Sequence, residues 1–177
     1  TREGVSRDGH ALYPVFPFTS FARMSDEDMT ALYAWLMAQT PVTQSTPAAV
    51  MALGLNMRPL LSVWNALFHT DRADRYDSSQ TPQWNRGEYL VNGVAHCGAC
   101  HTPRNIIGAE QKQTAYMQGA WVDGWQAPAL TSFNHSPMPW REQDFFNYLR
   151  KGYTGFHGTA SGPMAVSYTH LTLPTIL

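Results

Sequence analysis

The two cysteines of the 177-residue chain stand at positions 97 and 100, and His101 follows them at once. Cys-x-x-Cys-His is the attachment signature of c-type haem, and the chemistry requires that spacing. Two thiols add across the two vinyl groups on one edge of the porphyrin, and the next side chain must then reach the iron. An imidazole does so as the proximal ligand. The plainer readings are a zinc half-site, a thioredoxin-like dithiol and a chance pair. Zinc wants a second ligand pair, and no further cysteine exists to supply one. A thioredoxin-like dithiol would lie near a βαβ pattern, and none is visible. The sequence therefore predicts one haem c, bonded to Cys97 and Cys100, with His101 on the iron.

Length allows one or two domains. The 12 basic residues are balanced by 13 acidic ones and no basic patch stands out, which argues against a nucleic-acid partner. Aromatic residues are plentiful and charged ones sparse, as suits a small fold that wraps a flat apolar cofactor and has little core of its own. No stretch is long and apolar enough to span a bilayer. Thr1-Arg2-Glu3-Gly4 lacks the charged-then-apolar pattern of a signal peptide. Because haem c is attached outside the cytoplasm, the expectation is a chain that has lost its leader or is a piece of something longer.

Residues 4–21 carry glycine, proline and aromatics without a helical period, and a well-marked helix follows. Ser25 is a natural N-cap, Asp26, Glu27 and Asp28 place negative charge on the first turn, and Met29, Leu32, Tyr33, Leu36 and Met37 share one apolar face. Met29 and Met37 are accordingly expected in the core. Thr40-Pro41 stops the helix, and Pro41 to Leu55 reads as a linker. Pro59 starts a second helix with Leu60, Val63, Trp64, Leu67 and Phe68 on one side, and Thr70 to Gln80 is another connection. Thr81-Pro82 opens a third, in which Gly87, Leu90, Val91 and Val94 share a face; the glycine predicts a close helix crossing there. Residues 102–138 read as loop-rich, with Trp121, Trp125, Pro128 and Leu130 as candidates to line a cofactor pocket or simply as core under loops. Arg141 to Lys151 reads as a helix ended by Gly152, and residues 158–164 as a flexible loop bearing Met164.

Arg2-Glu3-Gly4-Val5, leading to Pro14-Val15-Phe16, parallels Arg150-Lys151-Gly152-Tyr153, leading to Gly162-Pro163-Met164. A repeat implies two copies of one unit, the first without its own Cys-x-x-Cys-His. The second copy should continue into a capped amphipathic helix, but Ser167 to Leu177 shows neither cap nor helical period. That tail resembles translated adaptor sequence, with a short C-terminal strand as the alternative. A second unit without its closing helix is expected to be poorly stable, unless the helix from Ser25 to Ala38 docks on Gly87, Leu90 and Val91 as a substitute.

On these residues the chain resembles the cytochrome c subunits of periplasmic, membrane-bound gluconate, alcohol or aldehyde dehydrogenases. The resemblance rests on Leu12 through Phe18, Met24-Ser25-Asp26-Glu27-Asp28, Asn56-Met57-Arg58-Pro59-Leu60, Trp84 through Val91, His96 through Asn105, Trp121-Val122-Asp123-Gly124-Trp125 and Gly162-Pro163-Met164-Ala165. It implies an all-α, class I cytochrome c-like fold in a protein of three fused domains with a C-terminal membrane anchor. Residues 1–40 would be the remnant of a first domain, 41–80 a linker with one helix, 81–166 an incomplete second domain lacking its last helix, and 167–177 a non-native tail. Met164 would be the distal ligand opposite His101, a thioether that favours reduced iron. Met117, Met138 and His157 are its rivals. For a first haem in the full-length protein Met24 is a candidate ligand; equally, it could staple onto Met29.

The implied function is electron transfer from a flavin- or molybdenum-containing dehydrogenase subunit towards ubiquinone, on the periplasmic side of the bacterial inner membrane. Membrane association would come through the missing C-terminal region, and the chain would have no catalytic activity of its own. The alternatives are a peroxidase-type haem enzyme, which needs an open distal position, and a haem-free module whose cysteines hold a metal or a disulfide.

Overall fold

The computed structural model describes residues 2–45, 58–70, 76–113, 115–131 and 138–172, with side chains described to residue 169. Much of the Pro41–Leu55 linker, Asn56-Met57, part of the Thr70–Gln80 connection and the end of the tail therefore lie outside the described residues. Two compact units emerge, one of Thr1–Ala99 with Arg104–Thr114 and one of Cys100–Pro103 with Ala115–Leu177. Helices dominate, and two small antiparallel sheets accompany them, so the expected all-α class holds only as a helix-rich one.

In the first unit, α2 (Asp26–Met37), α3 (Arg58–Phe68) and α4 (Pro82–Tyr89) form where caps and periodicity place them, whereas α1 (Phe18–Phe21) is a short helix in a stretch that reads as without helical period. Ser25 Oγ accepts the Asp28 N–H at 3.1 Å and Thr81 Oγ1 accepts that of Trp84 at 3.2 Å, satisfying donors that the first turn cannot. Phe18, 1% exposed, is the centre of this core, with Trp64 and His69 edge-on to its ring at 6.2 and 5.4 Å. Past Tyr89 the helix widens into a π-turn, Leu90–Val94, where the Ala95 N–H reaches back to the Leu90 carbonyl at 2.8 Å.

Helix α4 and its π-turn bury a different face from the one read in the sequence. Asn85, Tyr89 and Gly93 lie inward, while Leu90, Val91 and Val94 are exposed. Gly87 meets open space; the close approach is at Gly93, whose missing Cβ would stand 3.6 Å from the Cβ of Arg23. Polar anchoring explains the rotation: Tyr89 Oη donates to Asp28 Oδ2 at 2.5 Å, the Ser25 N–H donates to Tyr89 Oη at 3.1 Å, and Arg23 pairs with Glu88. These bonds draw only the first turn of α2 onto α4. Beyond Met29 the apolar face of α2 stays uncovered among the described residues; Met29 is only half-buried and Met37 is 67% exposed, which overturns the assignment of both to the core.

In the second unit, β1 (Ala120–Val122) and β2 (Trp125–Ala127) form a hairpin with Val122 opposite Trp125. Asp123 and Gly124 between them have φ of +50° and +79°, the backbone that a two-residue hairpin turn matching strand twist requires. This Asp-Gly signal lies within a segment that reads as loop. Helix α6 (Glu142–Lys151) ends on Gly152 at φ +76° as expected. Strands β3 (Tyr153–Thr154) and β4 (Gly158–Thr159) then lead into α7 (Gly162–Thr172). Met164 is therefore helical rather than in a flexible loop, and residues that read as an aperiodic tail continue α7 to Thr172.

The internal repeat is visible in the backbone. Gly4 and Gly152 both sit at positive φ, +68° and +76°, and each carbonyl accepts an N–H from eight residues on, Leu12 and Ala160, at 2.7 Å. An aromatic ring, Phe18 in one case and Tyr168 in the other, occupies the space a Cβ would need. The loops so closed bear Val5 bridged to Ala11 and Tyr153 paired with Thr159.

Because Gly87 faces open space, Gly87→Ala should raise stability by about 0.5–1 kcal/mol through helix propensity alone. Gly93→Leu, which drives a side chain into Arg23, should instead lower it by about 1–3 kcal/mol. Chemical denaturation of the two variants checks both signs.

Candidate haem centre

The sequence builds the centre on one helical turn, α5 (Gly98–His101), which begins directly after Cys97. A spacing of three places Cys97 and Cys100 on one side of that turn. Both are half-buried. His96 precedes them at φ +41°, a left-handed residue that ends the preceding segment, with Phe21 edge-on to its ring at 5.6 Å.

His101 is 9% exposed, and its Nδ1 lies 2.8 Å from the Pro128 carbonyl oxygen. A carbonyl only accepts, so Nδ1 must carry the proton, and the lone pair is left on Nε2. That is the tautomer an iron ligand needs, with its second nitrogen held by an outer partner. The main chain is fixed as well: the His101 carbonyl accepts the Gly119 N–H at 2.8 Å. Next to it, Thr102 is fully buried and its Oγ1 accepts the Met117 N–H at 3.1 Å. Met117 in turn accepts from the Leu130 N–H at 2.8 Å through its carbonyl. Gly119 has φ +89°, and a Cβ there would stand 2.9 Å from the Ala127 carbonyl oxygen. The base of the β1–β2 hairpin is thus closed around the stretch that presents the Pro128 carbonyl.

The other candidate ligands lie apart from this turn. Met164 is half-buried in the first turn of α7, in the same unit as His101. Met117 is 5% exposed at φ +56°, held through its main chain to Thr102 and Leu130, and Met138 is 42% exposed. His157 stacks on Trp140 at 3.8 Å and 13°, with Asp144 Oδ2 3.7 Å from its Nε2. Beside them, burial raises the Tyr148 phenol above its ordinary value. Met24 is 4% exposed in the first unit, and its carbonyl accepts from Arg2 at 2.9 Å. Of the proposed pocket residues, Trp121 and Trp125 are in the hairpin and exposed, whereas Pro128 contributes its carbonyl rather than its ring. Sequence reasoning missed Thr102, Met117 as a main-chain brace, and Gly119. A backbone acceptor has no residue signature, and only the Asp-Gly turn hinted at a hairpin.

A helical turn carrying Cys-x-x-Cys-His, its histidine protonated on Nδ1 and so free on Nε2, has the donor set of the c-type cytochrome class. No protein-family model matches the chain, but its relatives fall in that class. It is 52% identical over 174 residues, 98% of its length, to a nicotinate dehydrogenase subunit of Pseudomonas putida, covering 15% of that protein. It is 38% identical to the fructose dehydrogenase cytochrome subunit of Gluconobacter japonicus over 96% of this chain and 35% of the relative. The same identity and share of this chain relate it to the gluconate 2-dehydrogenase cytochrome c subunit of Pantoea cypripedii, of which it covers 40%. The chain is a homologue of the cytochrome c subunits of dehydrogenases, and it spans well under half of each of these three relatives. That homology implies covalently bound haem c.

Thr102→Val keeps the shape but removes the acceptor for the buried Met117 N–H, so it should cost about 1–3 kcal/mol. Thr102→Ser should recover most of this in parallel urea titrations.

Proposed function

We propose that the chain carries one haem c through Cys97 and Cys100, with His101 and Met164 as axial ligands, and serves as an electron relay within a dehydrogenase complex. The observation that carries this reading is the Pro128 carbonyl on His101 Nδ1, which prepares the other ring nitrogen for iron. Homology to cytochrome c subunits of dehydrogenases supports the assignment. When bound, the haem supplies one-electron chemistry, and its potential follows from axial ligands and burial. The protein's own part is to hold His101 in orientation and bring a thioether to the other side. Met164 is favoured over Met138 by burial, and over Met117 because the latter's main chain belongs to the brace around His101. The stack of His157 on Trp140, with Asp144 alongside, supports a packing role for that imidazole.

The donor would be the flavin- or molybdenum-containing subunit of the complex and the acceptor ubiquinone, on the periplasmic side of the inner membrane. Among the described residues no helix is long and apolar enough to cross a membrane. The backbone repeat at Gly4 and Gly152 supports the proposed organisation of a first domain over residues 1–40 and a second over 81–166, although the α4 part of the latter packs within the first compact unit. Burial of Met24 at the α1–α2 joint suits the staple role as well as ligation of a first haem in the full-length protein.

Expression with haem-attachment machinery tests the reading. A mass increase of one haem is expected, and its absence in a Cys97→Ser/Cys100→Ser variant. Met164→Ala should lose the weak red-edge absorption band of methionine-ligated ferric haem and lower the potential by on the order of 0.1 V, within the range axial ligands command. A parent protein that binds cyanide freely and turns over peroxide would instead favour the peroxidase-type enzyme.

A further inference from the structure

The β1–β2 hairpin and the residues just after it meet two other parts of the second unit. Three residues beyond Trp125, the Pro128 carbonyl orients His101. The indole of Trp125 itself lies against the α-carbon of Gly162, where a Cβ would stand 2.5 Å from its Cδ2 and 2.6 Å from its Cε2. Gly162 has φ +53° and opens α7, and Met164 follows two residues later in the same first turn. Any side chain at 162 would have to displace the ring or tilt the start of α7. The ring, for its part, is set by the hairpin, whose Asp123-Gly124 turn and Gly119 closure leave little freedom of register.

We propose that Trp125 is a positioning residue for Met164, acting through Gly162, so that one hairpin sets the approach of both axial groups. This rests on the reading of His101 and Met164 as the ligand pair. The indole, half-exposed, is a seat for the first turn of α7. It decides where the thioether arrives, not whether haem becomes attached, since Cys97 directly precedes α5 and Cys100 and His101 lie on it.

A double-variant cycle on the haem-loaded protein tests this. In Gly162→Ala the red-edge band of the oxidised protein should weaken or vanish, and cyanide should bind about tenfold more tightly, because strain at a left-handed alanine loosens the displaced ligand. Covalent haem content should be unchanged. Trp125→Leu vacates the space, so the further effect of Gly162→Ala on band and cyanide affinity should be smaller in that background. Equal effects of Gly162→Ala with and without Trp125, or an intact band in Gly162→Ala, would overturn the inference. Should Gly162→Ala fail to fold by far-ultraviolet circular dichroism, Trp125→Leu and Trp125→Phe carry the test. The band should weaken in the first and recover in the second, and equal bands in both would sink the proposal. A parent protein without the band refutes Met164 ligation and this inference together; a parent with it and unaffected variants refutes only the role of Trp125.

Discussion

The hydrogen bond between His101 Nδ1 and the Pro128 carbonyl joins the attachment turn to the part of the chain that organises the second unit. It selects one tautomer of a buried imidazole, and it does so with a group that no side-chain substitution removes. Around it the Gly119 N–H holds the His101 carbonyl, and the Thr102 hydroxyl holds the Met117 N–H. Each of these bonds satisfies a polar group that would otherwise cost free energy on burial. Together they hold this stretch of loop as a fixed wall behind His101.

The two copies of the glycine-centred loop show how a small fold reuses one solution. A left-handed glycine turns the chain, an N–H eight residues on closes the loop, and an aromatic ring covers the glycine face. Only glycine meets both demands, positive φ and direct contact with a ring. In the first copy the covering ring, Phe18, is also the centre of the core; in the second, Tyr168 belongs to α7, the helix that bears Met164. The same device thus serves packing in one place and seats the helix that bears the proposed ligand in the other.

In a c-type electron carrier, residues away from the iron matter through the position and basicity they impose on its ligands. In the proposed reading, the hairpin, the Thr102 brace and the glycine seat of α7 are such outer parts. A proposed relay needs little reorganisation on changing oxidation state, and a wall closed by main-chain hydrogen bonds suits that need. The uncovered apolar face of α2 shows the converse: a helix with good caps forms where local signals place it, without settling what lies against it.

The residues alone determined the attachment signature, the caps at Ser25 and Thr81, the stop at Gly152 and the glycine repeat. Each depends on groups close together in the chain, where spacing and stereochemistry leave little choice. Tertiary structure decided which face of α4 is buried, because the anchoring by Tyr89, Glu88 and Arg23 outweighed the apolar stripe through Gly87. It also decided that Met164 lies in a helix and that Met37 is exposed. The orientation of His101 came from the fold as well: its partner is a carbonyl 27 residues away, and every residue in the chain carries one.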